Sequence, residues 1–335
     1  MTRRLFHGVD AEGIIGIRQK NGYGVSMALA ADGRTETFCA GSGRFGQDFP
    51  VNPDMLFQAG SVSKPAFAAA LLRFADKGVI SLDADISGVV PEYVRFPLTF
   101  SALLSHTAGF NLHGFPGYRA GSAPLSLEDV LSGNGNTPKL RRIRPYGKQY
   151  RYSGGGITLA ELAFTRMTGL SLRDAFMQEI AAPLELTRTG FFQPLDADLI
   201  GNAAFGGRLG EKEDPAHGYH VYPEHAAAGL WTTPSELVRL GLALSRSFRA
   251  GGLLRKKTAE RMMTPVLENC GLCMFRRSDM PGLAFHGGWN EGFLTVWNVS
   301  LTEDRCAAVM INRSSRPTAR KLEETGMALY QSAGA

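Results

Sequence analysis

The chain has 335 residues, more than one average domain and fewer than three, which bounds it to one large domain or two intergrown lobes. Its 44% hydrophobic and 20% charged residues are the proportions of a soluble globular protein, and no apolar run approaches the roughly 18 residues of a membrane span. A formal net charge of +5 is too mild to indicate a nucleic-acid binder by itself.

In chain order, the start from Met1 to Gly8 is basic but lacks the apolar run of about 7–15 residues that a secretory signal needs, so the numbered chain reads as cytoplasmic. Val25–Ala31 is an apolar stretch closed by Asp32-Gly33, a hairpin signal, and Thr35–Ala40 reads as the returning strand. Val62–Lys77 is nearly all Ala, Leu and Phe, the composition of a helix buried on most sides. Lys139 to Arg144, with Lys148 and Arg151, concentrates basic charge and reads as a solvated loop. Leu159–Met167, Leu172–Ile180 and Pro234–Leu244 have helical spacing, the last with Thr233 as N-cap and Pro234 at the first helical position. Cys270-Gly271-Leu272-Cys273 has CxxC spacing without a second pair, and reads as part of a strand rather than a metal or redox site. Phe293–Leu301 and Cys306–Ile311 read as strands joined by Thr302 to Arg305, and Pro317 opens a closing helix. Strands at both ends with helices between them predict one sheet completed late, two fused lobes and a cleft at their seam.

Three segments carry chemistry. Ser61 and Lys64, in Gly60-Ser61-Val62-Ser63-Lys64, are three apart and share one helix face. A lysine activates an alcohol when burial lowers its pKa from about 10.4, and Pro65, Ala66 and Phe67 supply apolar neighbours. Alone, the pair reads equally as a capping serine and a surface lysine. Tyr152-Ser153-Gly154-Gly155-Gly156 reads as a loop that brings a phenol to a partner, or as a packed tyrosine before a glycine turn. Phe285-His286-Gly287-Gly288-Trp289, at the end of a strand, lets backbone approach a ligand closely, or is a turn with a surface histidine.

Together, S-x-x-K, Tyr-Ser-x and His-x-Gly in this order resemble the serine β-lactamase and penicillin-binding-protein family. Leu103 to Gly109 is similar to its LLTHTSG segment and Lys77 to Asp83 to its GKLSLDD; Pro145-x-Gly147, Pro183-Leu184 and Gly229 to Thr233 also fit. The resemblance implies an α/β (α+β) fold: an antiparallel sheet built from both chain ends, flanked by helices, with an inserted mainly helical lobe. The expected single domain spans 1–335, with a sheet lobe of approximately 1–60 plus 240–335 and a helical lobe of 61–239. It implies Ser61 as nucleophile, with Lys64 and Tyr152 sharing removal of its proton, which of them is the base being open. His286 completes the catalytic set, the backbone N–H groups of Ser61 and Trp289 form the oxyanion hole, and Ser153, Gly154, Gly287 and Gly288 meet substrate. No metal or organic cofactor is implied.

Two departures narrow the substrate. β-Lactamases usually have lysine at the position of His286, and a neutral imidazole holds a substrate carboxylate less well. Many also have asparagine at the position of Gly154. Both count against efficient penicillin turnover. The expected activity is hydrolysis of a small carboxylic ester or amide through an acyl-enzyme on Ser61. Alternatives are a D-aminopeptidase or D,D-carboxypeptidase-like peptidase, an acyltransferase, or a catalytically silent penicillin-binding-like protein. The expected partner is that small molecule, not a nucleic acid or a membrane. The histidine-rich stretch Asp214 to His225 reads as a loop near the cleft mouth, His106 as a structural histidine, and Phe110, Phe115 and Tyr118 as candidate walls of the acyl pocket.

Overall fold

A computed structural model describes residues 5–10, 23–123, 125–208 and 218–332. The N-terminal hairpin pairs β1 (Val25–Ala31) with β2 (Arg34–Ala40), register Val25 to Ala40. Asp32 and Gly33 both take positive φ, as the two-residue turn requires. The chain then enters helix α1 (Ser63–Asp76) through a 3₁₀ turn at Gly60–Val62. Helix α2 (Gly154–Thr168) and the amphipathic α3 (Pro234–Ala250) follow, and Thr233 caps α3 by accepting from the Glu236 amide. Strands β3 (Phe275–Arg276), β4 (Leu283–Asn290), β5 (Phe293–Ser300) and β6 (Cys306–Ile311) lead to the closing helix α4 (Arg316–Ser332).

The sheet is six-stranded and antiparallel, in the order β3-β4-β5-β6-β1-β2. Its centre is apolar on both faces, so successive residues divide between two cores. In β6, Cys306, Ala308 and Met310 enter the larger core, which also holds α1, α2 and α3. Ala307, Val309 and Ile311 enter a smaller core with Leu322, Leu329 and Tyr330 of α4. Helix α1 lies within the large core with Ala66 to Leu72 fully buried, as its composition requires.

Two sequence readings change. Cys270 and Cys273 are free thiols in a buried turn rather than a strand, and Cys273 takes a φ of 60° and donates from Sγ to the Leu104 carbonyl. Burial pushes the Cys270 thiol up to about 12 and holds Cys273 well above the usual thiol range. The segment after Tyr152 is a helix from Gly154, not a loop: Ser153 caps it, which lets three successive glycines open a helical turn. Among the described residues, no helix is long and apolar enough to cross a membrane.

Candidate active site

The turn that carries Ser61 is held by contacts from distant parts of the chain. The Ala59 amide donates to the Leu230 carbonyl at 2.9 Å. Ser63 Oγ donates to the Gly60 carbonyl at 2.6 Å and accepts from the Leu230 amide at 2.9 Å. Gly60 has φ +53°, and a Cβ there would lie 2.6 Å from the Trp289 amide nitrogen. A Cβ at Gly288 would lie 1.9 Å from the Ala59 carbonyl oxygen. Glycine at both positions is what brings strand β4 against the turn that carries Ser61, and so brings the Trp289 N–H beside it.

Within this frame Lys64 Nζ sits 2.9 Å from Ser61 Oγ and donates to the Ala227 carbonyl at 2.7 Å. That carbonyl belongs to the short helix His225–Ala228, whose Ala226 amide is fixed 2.8 Å from the buried Glu161 carboxyl. Burial lowers the Lys64 ammonium from its ordinary range to about 7. At neutral pH a large share of the amine is therefore unprotonated and able to accept the Ser61 proton. The Ser61 side chain is near enough to the Tyr152 phenol to act on its ionisation, and Lys64 Nζ lies 5.0 Å from the Tyr152 ring centroid. The ring packs against His106 at 4.5 Å and His113 at 4.8 Å, both tilted, and stacks with Phe275 at 6.4 Å. Burial raises the phenol well above its usual value, so it stays protonated and acts as a donor.

His286 lies mid-strand rather than at a strand end, and is buried. Its Nδ1 faces the Gly287 carbonyl at 2.7 Å. A carbonyl only accepts, so Nδ1 carries the hydrogen and Nε2 is a bare acceptor. Burial, aided by the Lys64 charge, drops the imidazole to about 3, so it is neutral across the physiological range. His106 is a structural histidine as read: it is buried, its Nδ1 accepts from the Ser153 amide at 3.2 Å, and burial holds it well below its usual value.

A cavity of about 430 Å³ opens at Ser61, with Tyr152, His286, Gly287, Gly288 and Trp289 on its wall. The structure thus gathers Ser61, Lys64, Tyr152, His286 and the Trp289 amide. Ser153 and Gly154 are not part of the cavity wall. Ser153 Oγ donates to the Leu112 carbonyl and caps α2, and Gly154 packs against His113 and Phe115, where a Cβ would come within 2.9 Å of the Phe115 ring. Phe110 is a core side chain, and Phe115 and Tyr118 pack against that core, so none of the three lines the cavity. Its wall includes His113, Tyr150, Phe275 and Phe285 instead. Tyr150 had a readable signal, since two residues before Tyr152 on an extended segment puts it on the same side.

Of the histidine-rich stretch, Asp214 to His217 lie outside the described residues. Glu224 is buried and His225 partly so, and desolvation raises the carboxyl to about 7 and lowers the imidazole to about 4. Among the described residues, no three His, Cys, Asp or Glu side chains are placed to hold a metal ion.

Comparison with known proteins agrees with this architecture. The chain is similar to D-amino acid amidase from Ochrobactrum anthropi SV3, with a TM-score of 0.76 and 19% identity, covering 96% of this chain and 95% of that one. Esterase EstB of Burkholderia gladioli is 30% identical over 157 residues, 42% of this chain and 40% of the esterase. An uncharacterized Mycobacterium tuberculosis protein is 26% identical over 223 residues, 57% of this chain and 54% of its own length, so the chain spans about half of that curated relative. The family model described as Beta-lactamase matches residues 7–332, nearly the whole chain, and the protein belongs to that family.

Proposed function

We propose that the protein is a serine hydrolase that cleaves a small carboxylic ester or amide through an acyl-enzyme on Ser61. The observation that carries this reading is the 2.9 Å contact between Ser61 Oγ and a buried Lys64 amine, at the mouth of a cavity and beside the Trp289 amide. Neutral Lys64 takes the Ser61 proton as Oγ attacks the carbonyl carbon. The amides of Ser61 and Trp289 receive the oxyanion. Tyr152 gives its proton to the leaving group as it takes the one held by the Lys64 ammonium, so both groups return to their starting states. Water then attacks the acyl-enzyme, and the same groups run in reverse. The neutral, inward-facing His286 offers no cation to a substrate carboxylate, which supports an ester or amide over a penicillin.

The test is hydrolysis of short-chain chromogenic esters by the wild-type chain and by Ser61→Ala, with a fluorophosphonate probe alongside. We expect stoichiometric labelling of Ser61 and a fall in kcat/KM of about 10³-fold or more in the variant. Equal rates in the two proteins, or an unlabelled Ser61, would remove the proposal.

A further inference from the structure

The cavity does not end at Ser61. Strand β4 alternates: His286, Gly288 and Asn290 point into the large core, while Phe285, Gly287 and Trp289 lie on the opposite face, towards α4. The cavity passes this strand at Gly287, where a Cβ would meet nothing nearer than the Thr295 carbonyl at 3.8 Å. Beyond it the wall is made by Leu294 and Val296 of β5 and by Ala319, Leu322 and Glu323 of α4. Those three helix residues sit at i, i+3 and i+4, which places them on one face. Phe285 and Trp289 flank the passage, and Trp289 is 47% exposed, the state of an aromatic face without a partner.

The electrostatics of this extension differ from those of a site for anions. Burial keeps His113 and His286 below their usual range, so both are neutral at pH 7. Among the described residues lining the cavity, Glu323 supplies the charged side chain. Arg277 is close enough to feel Glu323, but its guanidinium is engaged by Asp279 through bonds of 2.9 and 2.6 Å. A carboxylate that shares a cavity wall with two aromatic side chains is an arrangement that can receive an organic cation.

We infer that the far end of the cavity is a subsite for an alkylammonium group carried by the substrate, with Glu323 as its anion and Trp289 and Phe285 as its aromatic wall. The ammonium would sit across strand β4 from Ser61, remote from the scissile carbonyl. This assignment rests on the hydrolase reading for its substrate class, but the subsite can be tested without turnover.

Binding is measured by calorimetry on the full chain carrying Ser61→Ala, with 4-phenylbutylammonium and its neutral alcohol and carboxylate counterparts. The ammonium should bind about threefold to tenfold tighter than the alcohol, and the carboxylate weakest. Glu323→Gln should erase the advantage of the ammonium, and Glu323→Lys should shift preference to the carboxylate. Equal affinities for the three compounds, or an ordering unchanged in Glu323→Gln, would overturn the subsite. In the Ser61 enzyme, chromogenic esters with a terminal ammonium should outrun neutral isosteres by a similar factor, and Glu323→Gln should remove the difference. Absence of any Ser61-dependent turnover would defeat the hydrolase reading and leave the subsite to be judged by the binding series.

Discussion

At the scale of single residues, the site holds one unusual ionisation. Lys64 is lowered to about 7 because it is buried, with a carbonyl and a hydroxyl as its hydrogen-bond partners. If it is the base, the form that works is the one above that pKa. The kcat/KM of ester hydrolysis should rise about tenfold per pH unit below 7 and level off above it. Tyr152 is displaced upward, so no descending limb from its ionisation should appear below about pH 10. Lys64→Met should cost about 10²–10⁴-fold and abolish the rise, and a pH-rate profile checks both points. Gly288→Ala should be costly for a different reason. Its methyl would meet the Ala59 carbonyl at 1.9 Å, so β4 must move from the turn that carries Ser61. We expect about 1–3 kcal/mol of lost stability and at least a tenfold loss in kcat/KM with Ser61 still in place, read by denaturant melts and ester kinetics. The convergence of Ser61, Lys64 and Tyr152 was legible because three residue types with complementary chemistry occur in a fixed order. The function of Gly288 was half legible: glycine signalled a close approach, but what approaches is the protein's own Ala59 rather than a ligand.

At the scale of elements, the boundaries that sequence missed were set by side-chain caps. Tyr152-Ser153-Gly154-Gly155-Gly156 reads as a flexible turn because glycine is a poor helix former. Ser153 reverses this: its Oγ accepts from the Gly156 amide at 3.0 Å and donates to the Leu112 carbonyl at 2.9 Å, tying the first turn of α2 to a neighbouring loop. Ser153→Ala should therefore cost about 1–3 kcal/mol in a denaturant melt while kcat falls far less than in Ser61→Ala. A loss of activity as large as that of Ser61→Ala, without loss of stability, would return Ser153 to the substrate-binding set. The strands were easier to read. β1 and β6 are mostly apolar, short and bounded by turns, and two-sided burial explains such runs. The CxxC segment looked like them but is a turn: Cys273 needs positive φ, a backbone state that residue identity alone does not announce.

At the scale of the molecule, the placement of Glu323 in the cavity wall was invisible in the sequence because it arises only when α4 docks on the sheet. So was the role of Asn312. Its Oδ1 accepts from the Gly24 amide at 2.6 Å, and its Nδ2 reaches the carbonyls of Ser42, Gly43 and Phe205 at 3.1, 2.8 and 3.0 Å. One buried amide thus ties the exit of β6 to the entry of β1, the segment after β2 and the helical part of the chain. Asn312→Ala leaves several buried polar groups without partners and should lower stability by about 3 kcal/mol or more, measured by chemical unfolding.

The strand order has a consequence for how the protein is made. β1 leaves the ribosome early, yet its partner β6 begins at Cys306, so about 275 residues must be translated before the two can zip together. At 5–20 residues per second the nascent hairpin waits about 15–55 s with one side of its ladder bare. During that interval the sequence Val25 to Ala31, apolar except for Ser26, is a sticky edge open to other chains, and chaperone demand should peak there rather than at release.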